Sequence, residues 1–311
     1  MSIKKSVLEQ AVQYTKKLER NEFHISENGK LCQEIVRTAL DFYGVGLDEL
    51  NRYIHEAEPR NEQPDRISVN QALKHYVRDW SSEGKHERGP FRCILDTLDV
   101  YSPRLEQRIL KPVKVLLPGA GLGRLGSDIV GIGGYEVTVN EWSLFMNVAY
   151  RFLEAQSFSG PYSFHPFVDS GSHHATTADS ERAVSFPDQR MNNSVLMVEG
   201  DFTTAFQNAK GNFDFVITHC FIDTARNLIA FLETIHSTLH RDTGPSVQLS
   251  LDEIIAVSEH MGLQFLELPP TFGDLTFADK EVRWLAAIYG SIERALNMNG
   301  YKVQFWVARK K

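Results

Sequence analysis

Cysteine is scarce in this sequence. There are three, Cys32, Cys93 and Cys220, and they lie far apart. That leaves no disulfide framework and no Cys-x-x-Cys metal pair, so a reducing cytosolic or nuclear compartment fits best. Long apolar runs are missing too. No stretch approaches the length of a membrane span, so no membrane partner is expected. There is no basic excess: the formal net charge is -7 and no long run of Lys or Arg occurs. A nucleic-acid partner would leave a basic footprint, and none is seen. The opening MSIKKSVLEQAVQYTKKLER lacks the apolar core of a signal peptide, and Glu9 and Glu19 spoil a transit-peptide reading. With 311 residues and 42% hydrophobic content, the chain can bury one large domain, or a core domain with a smaller addition.

What is present centres on VKVLLPGAGLGRLGSDIVGIGGYEVTVNE, Val113 to Glu141. The apolar run Val113 to Leu117 reads as a buried parallel strand. It enters the turn Gly119-Ala120-Gly121-Leu122-Gly123. A helix follows, with Leu122, Leu125, Ile129 and Val130 on one side. Gly133-Gly134 breaks it, and Tyr135 to Val139 reads as a second strand ending at Glu141. Strand, glycine turn, helix, strand and acid open a nucleotide-binding unit. The glycines allow close backbone approach, the helix start offers free N–H groups, and the acid can accept from ribose hydroxyls. The spacing is G-x-G-x-G, and Arg124 stands where a dehydrogenase has its third glycine. That favours S-adenosylmethionine over NAD.

Residues 1 to 110 read as a helical N-terminal region, and 111 to 311 as the nucleotide-binding domain. In the first part Val7, Ala11, Tyr14 and Leu18 recur at helical spacing, and Leu31, Ile35, Leu40 and Phe42 less regularly. Pro59 to Asp65 is a polar linker, and Ser68 is placed to cap a helix reaching Trp80. Ser81 to Pro90 reads either as a solvated loop or as a lid over the cofactor. Beyond Glu141, Trp142 to Leu153 is helical. Ser157 to Asn193 is a long connector of the kind that is functional or disordered. Its His173-His174 pair is a weak metal signal, and no metal is expected.

Ser194 to Glu199 makes a third strand. Asp201 after it can accept from an adenine amino group, and Phe202 can stack on the base; Asp201 as a helix cap is the competing reading. Phe213 to Thr218 is a fourth strand, the most buried in appearance. Asp223 follows its carboxyl end, where an open α/β sheet binds ligands. It reads equally as a substrate-binding acid or as the cap of a helix over 224–240. Val247 to Leu249 is the only candidate for a fifth strand. Leu263 to Leu268 reads as a strand, Glu281 to Leu296 as a helix, Asn299-Gly300 as a turn and Tyr301 to Ala308 as the last strand.

Several segments together resemble the carnosine N-methyltransferase family. They are Val77-Arg78-Asp79-Trp80-Ser81 through Arg88, Leu117 to Leu125, Asn140 to Ser143, Gly200-Asp201-Phe202, Phe221-Ile222-Asp223-Thr224-Ala225 and Phe305 to Lys310. The resemblance implies a class I methyltransferase fold: an α/β, mostly parallel Rossmann-like sheet with helices on both faces and a helical N-terminal extension. It implies S-adenosyl-L-methionine as cofactor and a small histidine-containing peptide as substrate. It assigns Arg78 to the cofactor carboxylate, with His75 in the place of the family's glutamine. Gly119, Gly121, Gly123 and Glu141 go to the methionine and ribose parts, and Asp201 and Phe202 to the adenine. Asp223 becomes the catalytic, substrate-binding acid, and Tyr301 the nearest match to a substrate-pocket tyrosine. The chain departs from the family between Leu239 and Val247, where a glycine-glycine turn, a strand and a substrate-contacting histidine have no counterpart. The alternative is therefore a catalytically impaired relative that binds cofactor or a protein partner without turnover. Oligomeric state stays open, with a homodimer one option.

Overall fold

The computed structural model describes residues 3–60, 66–85, 87–156, 161–170, 173–240, 250–289 and 299–310. Their packing divides the chain into two units, one of residues 1–84, 151–190 and 290–298, the other of 85–150, 191–289 and 299–311. The N-terminal helices thus share a unit with the connector, whereas the sequence reading divides the chain near 110.

The first unit carries α1 (Ile3–Val12), α2 (Tyr14–Tyr43), α3 (Leu47–Ala57) and α4 (Arg66–Trp80). On α2 the residues Leu31, Ile35 and Ala39 are buried, while Val7, Tyr14, Leu18 and Phe42 are exposed. Helical spacing identified Leu31 and Ile35 as packed residues, whereas Val7, Tyr14, Leu18 and Phe42 stay exposed. Ser68 lies inside α4 and does not start it. The connector holds two short antiparallel strands, Tyr162–Phe164 and Val184–Phe186, with a helix Thr177–Glu181 between them. Side chains of α2 bind it: Asn28 exchanges two hydrogen bonds with the backbone of His165, and Arg20 forks onto Glu181. Tyr76 of α4 stacks on Phe186 at 4.1 Å between ring centroids. Ordered pairing and aromatic packing thus replace the structureless connector.

The second unit opens with α5 (Gly89–Tyr101) and α6 (Leu105–Leu110). Its sheet begins at β1 (Val113–Pro118), followed by α7 (Arg124–Ile132), β2 (Tyr135–Glu141) and α8 (Leu144–Ala155). With β5 (Val195–Glu199) and β6 (Phe215–Val216) these strands form a parallel sheet in the order β5-β2-β1-β6, the connector strands being β3 and β4. Val115, Leu116, Val137 and Val139 are buried on both faces of it, as a parallel sheet requires.

The fourth strand differs from expectation. β6 is two residues long and only half-buried. Among the described residues it pairs with β1 alone, so it has one neighbour to bury it. The candidate fifth strand, Val247 to Leu249, lies outside the described residues.

The C-terminal part corrects the sequence reading further. Over 281–289 the expected helix is a strand instead, β9 (Lys280–Tyr289), and the rest of that expected helix, 290–296, lies outside the described residues. β9 pairs antiparallel with β8 (Asp274–Phe277) and β10 (Asn299–Phe305), the connector helix being α9. Asn299 and Gly300 are paired within β10, not in a turn. The last expected strand is divided, since β7 (Leu263–Phe265) pairs with a separate β11 (Ala308–Lys310). Among the described residues no helix is long and apolar enough to cross a membrane.

Candidate cofactor site

The parallel strands deliver their carboxyl ends to one edge of the second unit. The turn after β1 carries three glycines in the left-handed region, Gly119 (φ 65°), Gly121 (φ 55°) and Gly123 (φ 72°). A side chain is strained there. It would also collide: a Cβ on Gly119 would lie 2.2 Å from the Phe221 ring, and one on Gly123 2.5 Å from Tyr150. Gly119 is thus required by packing against Phe221 as well as by its backbone angle.

Glu141 ends β2 and its carboxylate organises the turn. Oε2 accepts from the Gly121 N–H at 2.9 Å. Oε1 accepts from the N–H groups of Trp142 and Ser143 at 2.9 and 2.8 Å. Three backbone N–H groups thus converge on this one carboxylate at the carboxyl ends of the strands. The buried Asn140 beside it donates to the carbonyls of Val198 and Gly200, tying β2 to the turn after β5. Gly200 N–H donates back to the Glu141 carbonyl at 3.0 Å. Arg124, which replaces the dehydrogenase glycine, is buried and pairs with Asp128 one helical turn on.

Asp201 is exposed and caps α10 (Phe202–Ala205), accepting from Thr203 N–H at 2.7 Å. The capping reading is correct, and its exposed carboxylate can also meet a ligand. The Phe202 ring is 3% exposed and packs with Leu116 and Phe206, edge-on to Phe221, so it has a core role.

Asp223 lies in the 3-10 turn Ile222–Thr224, exposed. It does not cap the following helix. That helix is α11 (Leu228–His240), and Asn227 Oδ1 accepts from Ala230 N–H at 3.0 Å in the capping role. Tyr301 sits in β10 opposite Ala287.

His75 and Arg78 belong to α4 in the first unit. His75 Nδ1 is 2.7 Å from the Gln71 carbonyl oxygen. A carbonyl only accepts, so Nδ1 carries the proton. Burial, and next the Arg78 guanidinium, hold this imidazole below its usual pKa. Arg78 forks onto Asp79, with Nε to Oδ1 at 2.6 Å and Nη2 to Oδ2 at 2.8 Å. The segment after α4 is partly packed: Ser81, Gly84 and Pro90 are buried, while Ser82, Glu83 and Lys85 are exposed. In the connector His174 is buried against Phe167. Among the described residues no group of His, Cys, Asp and Glu could hold a metal.

Sequence reasoning missed Asp79, Asn140 and Phe221 as parts of the arrangement. All three lie inside quoted motifs; the signal available was their position beside Arg78, Glu141 and Asp223.

A family model described as carnosine N-methyltransferase matches residues 56–311. The chain belongs to the carnosine N-methyltransferase family. Its cofactor is therefore S-adenosyl-L-methionine, and the glycine turn and Glu141 fit it: bare backbone where a ligand approaches, and a carboxylate beside it. The chain is similar to the carnosine N-methyltransferase of Schizosaccharomyces pombe, 27% identical over 82% of this chain and 76% of that one. It is 34% identical to the Rattus norvegicus enzyme over 55% of this chain and 44% of the other. It is 28% identical to the Drosophila melanogaster protein over 78% and 55%. The chain thus spans about half the length of its rat and fly relatives. A solved phosphoethanolamine N-methyltransferase from Haemonchus contortus matches 58% of the chain at 12% identity and a TM-score of 0.36.

Proposed function

We propose that this chain transfers a methyl group from S-adenosylmethionine to an imidazole or amine nitrogen of a small histidine-containing peptide of the carnosine type. The relatives' names support the substrate class. The observation that carries the reading is the Glu141 carboxylate, which holds Gly121 at the carboxyl edge of the sheet.

The cofactor supplies an electrophilic sulfonium methyl when bound. The chain's own residues bind, orient and manage one proton. Glu141 accepts from the ribose hydroxyls and Asp201 from the adenine amino group; the family resemblance assigns Arg78 to the amino-acid carboxylate. Asp223 accepts the N–H of the substrate imidazole. That fixes the tautomer and leaves the other ring nitrogen's lone pair facing the methyl. Orientation is the main catalytic contribution in such a displacement, because the nucleophile is already neutral. Tyr301 completes the peptide side.

The test is transfer of a labelled methyl group from S-adenosylmethionine to carnosine and other imidazole dipeptides, read by mass spectrometry. Label on the imidazole ring, lost with Asp223→Asn, supports the reading. Cofactor binding without transfer to any of these peptides would sink it and favour the non-catalytic relative.

A further inference from the structure

Asn140 precedes Glu141 at the end of β2, and it is only 1% exposed. Its Nδ2 donates to two carbonyls, that of Val198 at 2.9 Å and that of Gly200 at 3.0 Å. An amide NH2 has two N–H donors and a carbonyl only accepts, so both donors are engaged. The backbone carbonyl of Asn140 accepts from Ala120 N–H at 3.0 Å, between Gly119 and Gly121. One residue therefore holds two turns at the carboxyl edge of the sheet. Its backbone holds the turn after β1, and its side chain holds the turn after β5. All of these residues lie in the second unit.

The turn after β5 is where this grip has consequences. β5 ends at Glu199, opposite Glu141. The next residue, Gly200, has φ 135°, and a Cβ built on it would meet nothing within 4 Å. Glycine tolerates a wide range of backbone angles, so Gly200 is a natural hinge. Hydrogen bonds to β2 close that hinge on both sides. The peptide before Gly200 is held by its N–H, which donates to the Glu141 carbonyl at 3.0 Å. The peptide after it is held by its carbonyl, which accepts from Asn140 Nδ2. That second peptide leads into Asp201. The Asp201 carboxylate is fixed to α10 by the N–H and Oγ1 of Thr203, at 2.7 and 2.6 Å. The Asn140 bond fixes the same residue to the end of β2, where Glu141 stands.

We propose that Asn140 is a positioning residue that sets nucleobase specificity. By locking the Gly200–Asp201 peptide, it keeps the Asp201 carboxylate where it meets a purine that carries an exocyclic amino group. This rests on the reading of Asp201 as the acceptor for the adenine amino group. A hydrogen bond to a carboxylate is strong but directional, and it weakens steeply as the angle closes. A competing account makes Asn140 structural only. Two buried carbonyls without a donor would loosen the whole edge. That account weakens every nucleoside ligand alike, whereas positioning weakens the one with the amino group more.

The experiment compares S-adenosylhomocysteine with S-inosylhomocysteine, which has an oxygen where adenine has its amino group. Both are titrated by calorimetry into the full chain, Asn140→Ala and Asp201→Ala. The parent should prefer the adenosyl ligand about tenfold or more, the scale of one hydrogen bond to a charged group. Asn140→Ala should reduce that preference at least about threefold, and Asp201→Ala should abolish it. Equal weakening of both ligands in Asn140→Ala makes the residue merely structural and overturns the proposal. So does unchanged binding of both. If the parent shows no preference, or Asp201→Ala keeps it, the reading of Asp201 has failed and the proposal falls with it. Should Asn140→Ala not unfold cooperatively, Asn140→Ser takes its place. A hydroxyl has one proton to donate and cannot hold both carbonyls. This variant should lower the preference by the same factor, and an unchanged preference overturns the proposal.

Discussion

Glu141 Oε2 accepts a hydrogen bond from the backbone N–H of Gly121 at 2.9 Å. This bond joins the two features that the sequence offers as a cofactor signature, the acid ending β2 and the glycine turn after β1. The same carboxylate receives Trp142 and Ser143 N–H on its other oxygen. Glu141 is therefore the brace of the turn.

Gly119 should not accept a side chain. Gly119→Ala must adopt φ near 65° and push a Cβ into the Phe221 ring. The expected loss is ~2 kcal/mol or more by urea denaturation. Phe221→Ala in the same chain relieves the collision but not the backbone strain, so it should not restore the parent's denaturation midpoint. Unchanged stability of the single variant would contradict the turn geometry.

Phe202 separates a core role from base stacking. Phe202→Leu should cost ~1–2 kcal/mol of stability, since a buried aromatic ring is lost. S-adenosylhomocysteine affinity should stay within about twofold, the scale of an indirect effect. A large loss of affinity at unchanged stability would return Phe202 to the cofactor.

Acid should weaken the fold in a definite window. His24 is held below its usual pKa by burial and then by His165, whose ring it stacks on at 3.9 Å. His174 is lowered by burial and then by Arg182. For a base with a lowered folded pKa, the unfolded chain takes up the proton first. Stability is therefore full above the unfolded value of about 6.5 and falls as pH drops through and below it. Between about pH 7 and about pH 5 the urea midpoint should fall, and less so in His24→Phe, which keeps a ring against His165 but cannot charge. A drop of the same size in that variant would remove His24 from the account. The lowered carboxylates, Glu9, Asp252 and Glu253, are exposed and titrate at lower pH.

Asp223 should divide binding from turnover. It is exposed and makes no cap to α11, so Asp223→Asn should fold and bind cofactor as the parent does. Methyl transfer should drop about a hundredfold, the scale of losing an orienting group. Full turnover in steady-state kinetics would end its role.

The β1–turn–β2 unit was legible because continuous apolar strands and a glycine turn leave little choice of structure. Asp201 was legible as a cap for the same local reason. The strand β9 was not. Val282, Trp284, Leu285 and Ile288 satisfy helical and alternating spacing alike. What decides is long-range pairing with β8 and β10, which local pattern cannot show. β3 and β4 are three residues each, too short to carry a period. The burial of Phe202 was not legible, because spacing next to a cofactor motif does not say which way a ring turns.

The most direct measurement is calorimetric titration of the chain with S-adenosylhomocysteine, run in parallel on Glu141→Ala. The parent should bind, and the variant should bind at least about tenfold more weakly while keeping a cooperative unfolding transition. Equal binding by both, or no binding by a cooperatively folded parent, would contradict the claim that the Glu141-braced turn is the cofactor site.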